Sequence, residues 1–331
     1  KTFNIDPLSF GKKGIKAPNG ATFSKVKGIM PEIISELMDV REEYRKKKDE
    51  VGRYAIKILM NSFFGVMASP LCRYYSLDLA NAITSFAQFF IKKTAEMIRE
   101  EGYEVIYSDT DSCFVVAGKK DPEVLGKELE DKMNGMLKDF IRSKYYLDSY
   151  LHLEFEKVYS KFIMPRLRGA DKGAKKRYAG LVHGKLEVVG MEAVRGDWTL
   201  LAKKFQEELL MRVFTGQKVE EFISHFVKDL KKGKYDALLV YKKSLRKPLK
   251  DYTKTTPPHV QAARKQKGFK GTLVKYVYSV EGIEPYENFK GSYNYEHYIQ
   301  KQIKPIADSV LVFLGLKFDE LLSGQKSLFG Y

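Results

Sequence analysis

Tyr107-Ser108-Asp109-Thr110-Asp111-Ser112 is the stretch of sequence that decides the fold. It separates two short apolar runs, residues 104–107 and 113–116, which predict two buried strands joined as a hairpin. Asp109 and Asp111 then lie at the hairpin tip, where two carboxylates repel each other unless a positive charge lies between them. A divalent cation bound by oxygen ligands meets that need. A solvated turn is the alternative, because Asp, Ser and Thr favour turns by themselves.

The overall composition bounds the class of protein. The chain has 331 residues, enough for two or three compact units. No apolar run approaches the roughly 18–20 residues that span a membrane, and the start has no signal peptide. The two cysteines, Cys72 and Cys113, make neither a disulfide framework nor a zinc site. We expect a reducing, cytoplasmic location, associated with the nucleoid if the partner is DNA.

The positive charge is unevenly distributed. Lys and Arg number 58 against 42 acids, a net charge of +16. Residues 228–275 hold 15 basic residues and three acids, and residues 157–177 hold eight basic residues and one acid. Basic segments interleaved with Tyr and Phe favour a polyanionic partner, most simply nucleic acid. A lysine-rich solubilising surface is the alternative, but it does not explain the confinement to two segments.

The rest of the chain predicts a mixture of helices and short strands. Residues 1–29 look irregular. Helices are expected at 31–49, at 52–64 with an end near Gly65, at 77–101 and at 121–146. An alternating strand is expected at 152–158 and basic strands and turns at 157–192. From Trp198 onward the pattern is mostly helical, with a loop-rich basic interruption at about 243–292.

Four polar side chains form a candidate triphosphate clamp. Lys57 and Asn61 are four residues apart on one helix face, and Arg41 and Arg45 have the same spacing on the preceding helix. In an antiparallel helical hairpin, three cations and an amide that converge suit a triphosphate. An ordinary solvated helix face is the alternative.

Two further groups are candidates for binding. Glu154 and Glu156 point the same way on their predicted strand and offer a third carboxylate to the metal, or are simply surface acids. Lys175, Lys176 and Arg177 precede Tyr178, a grouping that suits a nucleic-acid backbone with an aromatic ring packed beneath a sugar or base. A basic turn is the alternative for that group.

Together these motifs resemble the family B DNA polymerases, and the resemblance covers essentially the whole chain. Residues 57–65 are similar to the family's fingers motif, K-x3-N-S-x-x-G, and residues 107–112 to its palm motif, Y-x-D-T-D-S. Residues 175–178 resemble K-K-x-Y, and residues 190–198 resemble G-x-E-x-V-R-x-D-W. Residues 168–171, 245–249, 257–264 and 324–325 most resemble the bacterial DNA polymerase II subgroup.

The resemblance implies roles for particular residues. Asp111 would be the main ligand of two Mg²⁺ ions, Asp109 its weaker neighbour and Glu156 an auxiliary. Arg41, Arg45, Lys57 and Asn61 would hold the dNTP. Primer-template DNA would be contacted by Lys175, Lys176, Tyr178, Arg195, Lys243, Arg246, Lys247, His259 and Arg264.

Two departures from the family pattern matter. Phe64 stands where the family usually has Tyr, a modest loss of one hydroxyl. Residues 1–7 resemble those that follow the family's first catalytic Asp strand, so that Asp is expected to lie outside this chain. Asp6, in an Asp-Pro turn, is not a substitute. We therefore expect an amino-terminal polymerase half, with the exonuclease domain, as the partner that completes the active site.

The implied fold class is α+β, a right-hand polymerase fragment. Residues 1–24 would be residual palm, 25–68 helical-hairpin fingers, 69–198 palm with an antiparallel sheet, and 199–331 a mostly helical thumb. The expected function is template-directed DNA synthesis, with little activity from this chain alone. The alternatives are a non-catalytic DNA-binding remnant and, less consistent with the fingers and K-K-x-Y motifs, a nucleotidyl cyclase or reverse transcriptase palm.

Overall fold

The computed structural model describes residues 1–166, 173–254, 256–266 and 268–323. No helix in these ranges has the length and apolar character needed to cross a membrane. The chain divides into two compact units, Lys1–Lys157 and Val158–Tyr331. This division falls inside the predicted palm, and the bounds of the four predicted domains stay predictions. The subgroup motifs at 168–171 and 324–325 lie outside the described residues.

The first unit combines four helices with two small antiparallel hairpins. Its elements are β1 (Phe10–Lys16), β2 (Thr22–Phe23), α1 (Ile29–Lys46), α2 (Glu50–Ala68), α3 (Leu77–Glu100), β3 (Val105–Asp109), β4 (Ser112–Val115) and α4 (Pro122–Tyr145). β1 pairs with β2, and β3 pairs with β4. The prediction that residues 1–29 are irregular is wrong for this hairpin, because Ile15 and Phe23 are buried and fix a local β-pairing.

Three of the four helices of this unit, α2, α3 and α4, begin at side-chain caps. Asp49 accepts a hydrogen bond from the Gly52 amide, and Ser76 accepts one from the Leu79 amide. The predicted end of α2 near Gly65 is wrong. A helical glycine costs about 1 kcal/mol relative to alanine, but Met67, two residues later, is buried and holds the end of the helix against the core.

An aromatic stack forms the centre of the first unit. The Phe3 ring lies 3.9 Å from that of Phe86 and 5.2 Å from that of Phe90, measured between centroids. α3 supplies both partners at helical i, i+4 spacing, and α4 adds Met133, Leu137 and Ile141 to the same core. The β3–β4 hairpin therefore rests on α3, which in turn packs against α4.

The second unit contains two three-stranded antiparallel sheets and a helical core. Its elements are β5 (Lys161–Ile163), β6 (Tyr178–Val182), β7 (Lys185–Val189), α5 (Leu200–Phe214), α6 (Val219–Lys231), β8 (Tyr241–Ser244), α7 (Pro258–Lys265), β9 (Leu273–Ser279), β10 (Gly282–Pro285), α8 (Tyr295–Tyr298), a π-helical turn (Ile299–Ile303), α9 (Lys304–Leu311) and α10 (Phe318–Ser323). The sheet orders are β5-β6-β7 and β10-β9-β8.

The basic segment at 243–292 contains more structure than predicted. Instead of a loop-rich interruption, it contributes to the sheet β10-β9-β8 and contains α7. Tyr241 pairs with Tyr276 across β8 and β9, and both rings are largely buried. Lys242 and Lys243 obscured the strand, because lysine has a low β-propensity and the alternation covers only four residues.

The strand predicted at 152–158 is not formed. The Leu153 amide donates to the Asn134 Oδ1 at 2.8 Å, and the Phe155 amide donates to Glu130 at 2.8 Å. The backbone therefore bonds to side chains of α4 instead of to another strand. The predicted alternation nevertheless holds, because Phe155 packs against Gly126 between two exposed glutamates.

Candidate active site and nucleic-acid interface

The two aspartates of the opening motif lie at a tight turn. Asp109 pairs with Ser112, which leaves Thr110 and Asp111 as the two turn residues. Thr110 has a φ of +54°, and the Asp111 amide donates to the Asp109 carbonyl at 2.6 Å. Asp109 is half-buried and Asp111 is exposed. The predicted hairpin with two carboxylates at its tip is therefore present.

The strands of this hairpin are less buried than predicted. Only Val105 is fully buried, and the rest are half-buried or exposed. The hairpin has two strands, and α3 packs against it. The Cys113 thiol lies 3.5 Å from the Ser108 hydroxyl, and burial raises its pKa.

The aspartate pair has the right donors for part of a metal site. Carboxylate oxygens are the hard ligands that Mg²⁺ prefers. Across the described ranges, however, no three Asp, Glu, His or Cys side chains gather closely enough to hold an ion. Glu156 lies 3.5 Å from the Lys157 ammonium, and Glu154 is exposed. The role of Glu156 as an auxiliary ligand stays a prediction.

Asp6 is occupied elsewhere, as expected. Its side chain is buried at 1% exposure and accepts hydrogen bonds from the amides of Leu8 at 2.7 Å and Met30 at 2.8 Å. The carboxylate therefore stabilises the amino-terminal end of α1. Negative charge is favourable there because the first amides of a helix lack partners within the helix.

α1 and α2 form the predicted helical hairpin, joined by residues 47–49. The Tyr44 ring packs directly on Gly52, where an added Cβ would lie 2.5 Å from the ring. This contact sets the register of the two helices near their link. Lys57 and Asn61 are exposed on α2, and Arg41 is half-buried on α1 with its Nε buried and without a hydrogen-bond partner. An unsatisfied guanidinium donor is suited to an incoming anion.

Arg45 departs from the predicted four-residue clamp. Its guanidinium donates to Glu42 on the same helix, with Nη2 at 2.8 Å from the carboxylate. The pair is exposed, and such pairs contribute little to stability, so a triphosphate competes easily for this cation. Convergence of the four side chains stays a prediction.

Lys175 and Lys176 form a turn before β6 that is held by a close backbone approach. Lys176 has a φ of +58°, and Gly190 has a φ of +61°. A Cβ built on Gly190 would lie only 1.9 Å from the Lys176 carbonyl oxygen. A side chain at position 190 therefore cannot be accommodated unless the lysine turn shifts.

A buried polar network supports the same turn. The Arg177 guanidinium donates to one carboxylate oxygen of Glu192. The other oxygen accepts from the side-chain Nε2 of Gln206 at 2.8 Å. The Gln206 oxygen in turn accepts from the Ala193 amide at 2.7 Å. Glu192 is 7% exposed and Gln206 is fully buried. The network links the K-K-x-Y segment to the segment 190–198 and to α5.

Tyr178 begins β6 within an aromatic cluster. Its ring centroid lies 5.5 Å from that of Phe162 and 6.3 Å from that of Tyr159. The Tyr159 hydroxyl donates to Glu187 at 3.2 Å. Tyr178 is only half-buried, so one part of its ring packs on neighbours while another part is accessible, as a contact with a sugar or base requires.

Arg195 forms a two-pronged ion pair with Asp197. Nε and Nη2 lie 3.0 and 2.8 Å from the two carboxylate oxygens. The hydrogen bond from Arg195 lowers the pKa of Asp197, and the charge of Lys243 lowers it further. This ion pair is exposed, and the contact of Arg195 with DNA stays a prediction.

Two residues that were predicted to contact DNA, His259 and Arg264, interact within the chain. His259 is 5% exposed and its Nδ1 is buried without a partner; burial, with the charge of Lys243, lowers its pKa. Arg264 donates to the Tyr252 carbonyl at 2.8 Å and to Thr256, which holds that loop. Burial of His259 argues against a direct DNA contact by this side chain.

The remaining cations of the predicted thumb are exposed. Lys243 lies on β8, and Arg246 and Lys247 follow it in the next turn. The Lys247 ammonium donates to the Asp251 carbonyl and lies 4.7 Å from the Tyr252 ring centroid. Lys242 stands directly opposite Lys275 in the sheet, a like-charged pair that an anion would relieve.

Comparison with known proteins accounts for these motifs. The family model described as DNA polymerase family B matches residues 15–305. The chain belongs to the family B DNA polymerases. It is 36% identical to DNA polymerase II of Escherichia coli (strain K12), over 99% of this chain and 45% of that protein. It therefore spans less than half the length of this curated relative.

Other family B relatives show the same partial coverage. The chain is 31% identical to DNA polymerase 2 of Aeropyrum pernix, over 96% of this chain and 39% of that protein. A solved family B DNA polymerase from the archaeon Pyrobaculum calidifontis shares the fold with a TM-score of 0.62 and 26% identity, covering 95% of this chain and 43% of that one. The α+β fold class and the likeness to the polymerase II subgroup are thus confirmed.

The buried network of Arg177, Glu192 and Gln206 was missed by sequence reasoning. Arg177 looked like one more cation in a basic run, and Glu192 like part of a motif without a role. The available signal was a lone acid in an apolar stretch, 191–194, since a buried acid needs a positive partner. Gln206 gave no signal, because a polar residue in a helix is usually exposed.

Proposed function

We propose that this chain provides the nucleotide-binding and DNA-binding part of a DNA-directed DNA polymerase and two of the carboxylates of its catalytic centre. The observation that carries the proposal is the turn with Asp109 and Asp111, formed in a chain that belongs to family B. The palm motif, the fingers hairpin and the lysine turn before Tyr178 support the same reading.

In the proposed reaction, a primer 3′-hydroxyl attacks the α-phosphate of a dNTP and pyrophosphate leaves. Two Mg²⁺ ions, when bound, stabilise charge on the attacking and leaving oxygens. Asp111 and Asp109 would hold the metal from this chain. Arg41, Arg45 and Lys57 would orient the triphosphate and offset the negative charge that develops on it.

The lysine turn and the thumb would hold the DNA. Lys175, Lys176 and Tyr178 would contact the primer near its end, and Lys243, Arg246 and Lys247 would contact duplex phosphates. Phosphate contacts position the DNA without reading its sequence, so affinity should fall steeply with salt.

We further propose that catalysis requires a partner segment. Two-metal catalysis needs carboxylates from more than one strand, and among the described residues no three Asp, Glu, His or Cys side chains gather to hold an ion. The relatives are about twice as long as this chain. An amino-terminal half that brings a further Asp would complete the metal site.

The test is Mg²⁺-dependent primer extension by this chain alone and by its mixture with a separately produced amino-terminal half. We expect extension only in the mixture. Asp111→Ala should lower the rate by several decades while DNA affinity stays nearly unchanged, because the carboxylate acts on the metal and not on the duplex. Asp139→Ala, which removes an exposed acid on α4, is the matched control.

Each outcome separates the candidate functions. Extension by the chain alone would refute the shared metal site. A mixture that binds DNA but never extends a primer would favour a non-catalytic DNA-binding protein, the function that the +16 charge supports equally well. Normal extension by Asp111→Ala would remove this residue from the mechanism.

A further inference from the structure

The β1–β2 hairpin carries a bulge that displays two lysines. Phe10 and Ile15 of β1 both pair with Phe23 of β2, so the four residues between them, Gly11-Lys12-Lys13-Gly14, have no partners in the register. Lys12 and Lys13 are exposed. A bulge redirects side chains away from the regular pleat and is often a functional feature.

The two glycines make this bulge possible. Gly11 has a φ of +75°, a conformation that favours glycine. A Cβ on Gly14 would lie 2.5 Å from the Phe23 carbonyl oxygen, so only glycine permits this close approach of the strands. Ile15 and Phe23 are buried beneath the bulge and fix its base. The lysines are therefore presented from a defined backbone.

The base of the hairpin is tied to the fingers helix. The side-chain nitrogen of Asn4 donates to the carbonyls of Ser24 and Val26, both at 2.6 Å. Its side-chain oxygen accepts from the backbone amide of Gly28 at 2.8 Å. Asp6 accepts from the Met30 amide in α1. The basic bulge thus has a fixed position relative to α1, whose arginines are proposed to bind the nucleotide.

The hairpin is positively charged along its whole length. Residues 8–27 contain five lysines and no acid. Within the described part of the chain, no ion pair engages Lys12, Lys13 or Lys16. Lys25 lies 5.4 Å from the Tyr146 ring centroid, and Lys27 forms an exposed pair with Glu32 at 3.5 Å. Concentrated charge of one sign attracts a polyanion.

We propose that the basic bulge, Gly11 to Gly14 with Lys12 and Lys13 at its tip, is a contact site for the phosphodiester backbone of DNA. The inference rests on the proposed function, because it adds a DNA contact in the first unit to the contacts proposed for the thumb. The contact positions the strand and reads no bases. Duplex and single-stranded DNA share this chemistry, and the experiment distinguishes them.

The experiment compares Lys12→Ala/Lys13→Ala with Lys127→Ala/Lys138→Ala, which removes the same charge from the exposed face of α4. Binding of fluorescent oligo-dT and of a fluorescent duplex is measured by anisotropy over a series of salt concentrations. Two lost phosphate contacts should lower the slope of log affinity against log salt by about 1.8 on duplex and about 1.4 on single strands. At physiological salt this corresponds to a roughly 10- to 30-fold weaker affinity.

The outcomes bear separately on the bulge and on the function. A loss on oligo-dT alone assigns the bulge to unpaired template, and an equal loss on both probes assigns it to duplex phosphates. Unchanged slopes in the bulge variant, with wild-type binding intact, overturn the proposal and leave the polymerase function standing. Self-association of the variant without a change in DNA binding would show that the lysines only protect the edge of β1. Binding to neither probe by the wild-type chain would overturn both.

Discussion

Gly190→Ala tests the tightest approach at any glycine among the described residues. A non-glycine residue in the left-handed region costs about 1–2 kcal/mol. An alanine at position 190, where φ is +61°, would incur that cost. Its Cβ would also lie 1.9 Å from the Lys176 carbonyl oxygen. Relieving such an overlap by a backbone shift costs about 1–3 kcal/mol more. We expect a total loss of about 2–5 kcal/mol in the free energy of unfolding.

Gly184→Ala is the matched control for this change. Gly184 has a φ of +76° in the β6–β7 turn, but a Cβ there meets nothing within 4 Å. The free energy of unfolding of Gly184→Ala should therefore fall only by the cost of the left-handed conformation, about 1–2 kcal/mol. The difference between the two variants isolates the contact with Lys176.

The assay is urea unfolding followed by tryptophan fluorescence. Trp198 is the only tryptophan in the chain, and it packs against the core of the second unit, so the signal reports that unit. Gly190→Ala should also weaken DNA binding, because the overlap is relieved by moving the lysine turn. Equal losses of stability in the two variants, or unchanged DNA affinity in Gly190→Ala, would refute the reasoning.

Two further predictions concern the thumb and the pH dependence of stability. Replacing Lys243, Arg246 and Lys247 by Ala should flatten the salt slope of duplex binding by about 2–3, and an unchanged slope would contradict the thumb assignment. Burial lowers the pKa of His297 to about 4. Between pH 6.5 and 4 the unfolded state then binds more protons than the folded state, so stability should fall with acidification through this window. His297→Gln should flatten this part of the profile in urea unfolding measured at several pH values; an unchanged profile would assign the acid sensitivity to other groups.

Local patterns predicted much of the fold. The hairpin at 103–117 and the long helices α3 and α4 were predicted because their signals, two apolar runs around Asp and Thr and regular stripes with capping residues, arise within one segment. The aspartate turn was predicted for the same reason. Family resemblance then supplied roles that spacing alone left open.

The failures have a common physical cause, which is dependence on distant partners. The 152–158 segment alternates correctly but bonds to α4 side chains, and only the folded structure shows that choice. His259 was predicted to contact DNA from its place in a motif, and the motif carries no information about its burial. Gly65 predicts a helix end, but Met67, two residues later, is buried and α2 continues to Ala68.

The network of Arg177, Glu192 and Gln206 has an evolutionary consequence. Replacing any one member alone leaves the other two with unsatisfied buried groups, so substitutions at these three positions are strongly coupled. Lineages should therefore exchange the three residues together or keep them all. Aligned family members should show correlated changes at these positions even though they are 15 and 14 residues apart along the chain.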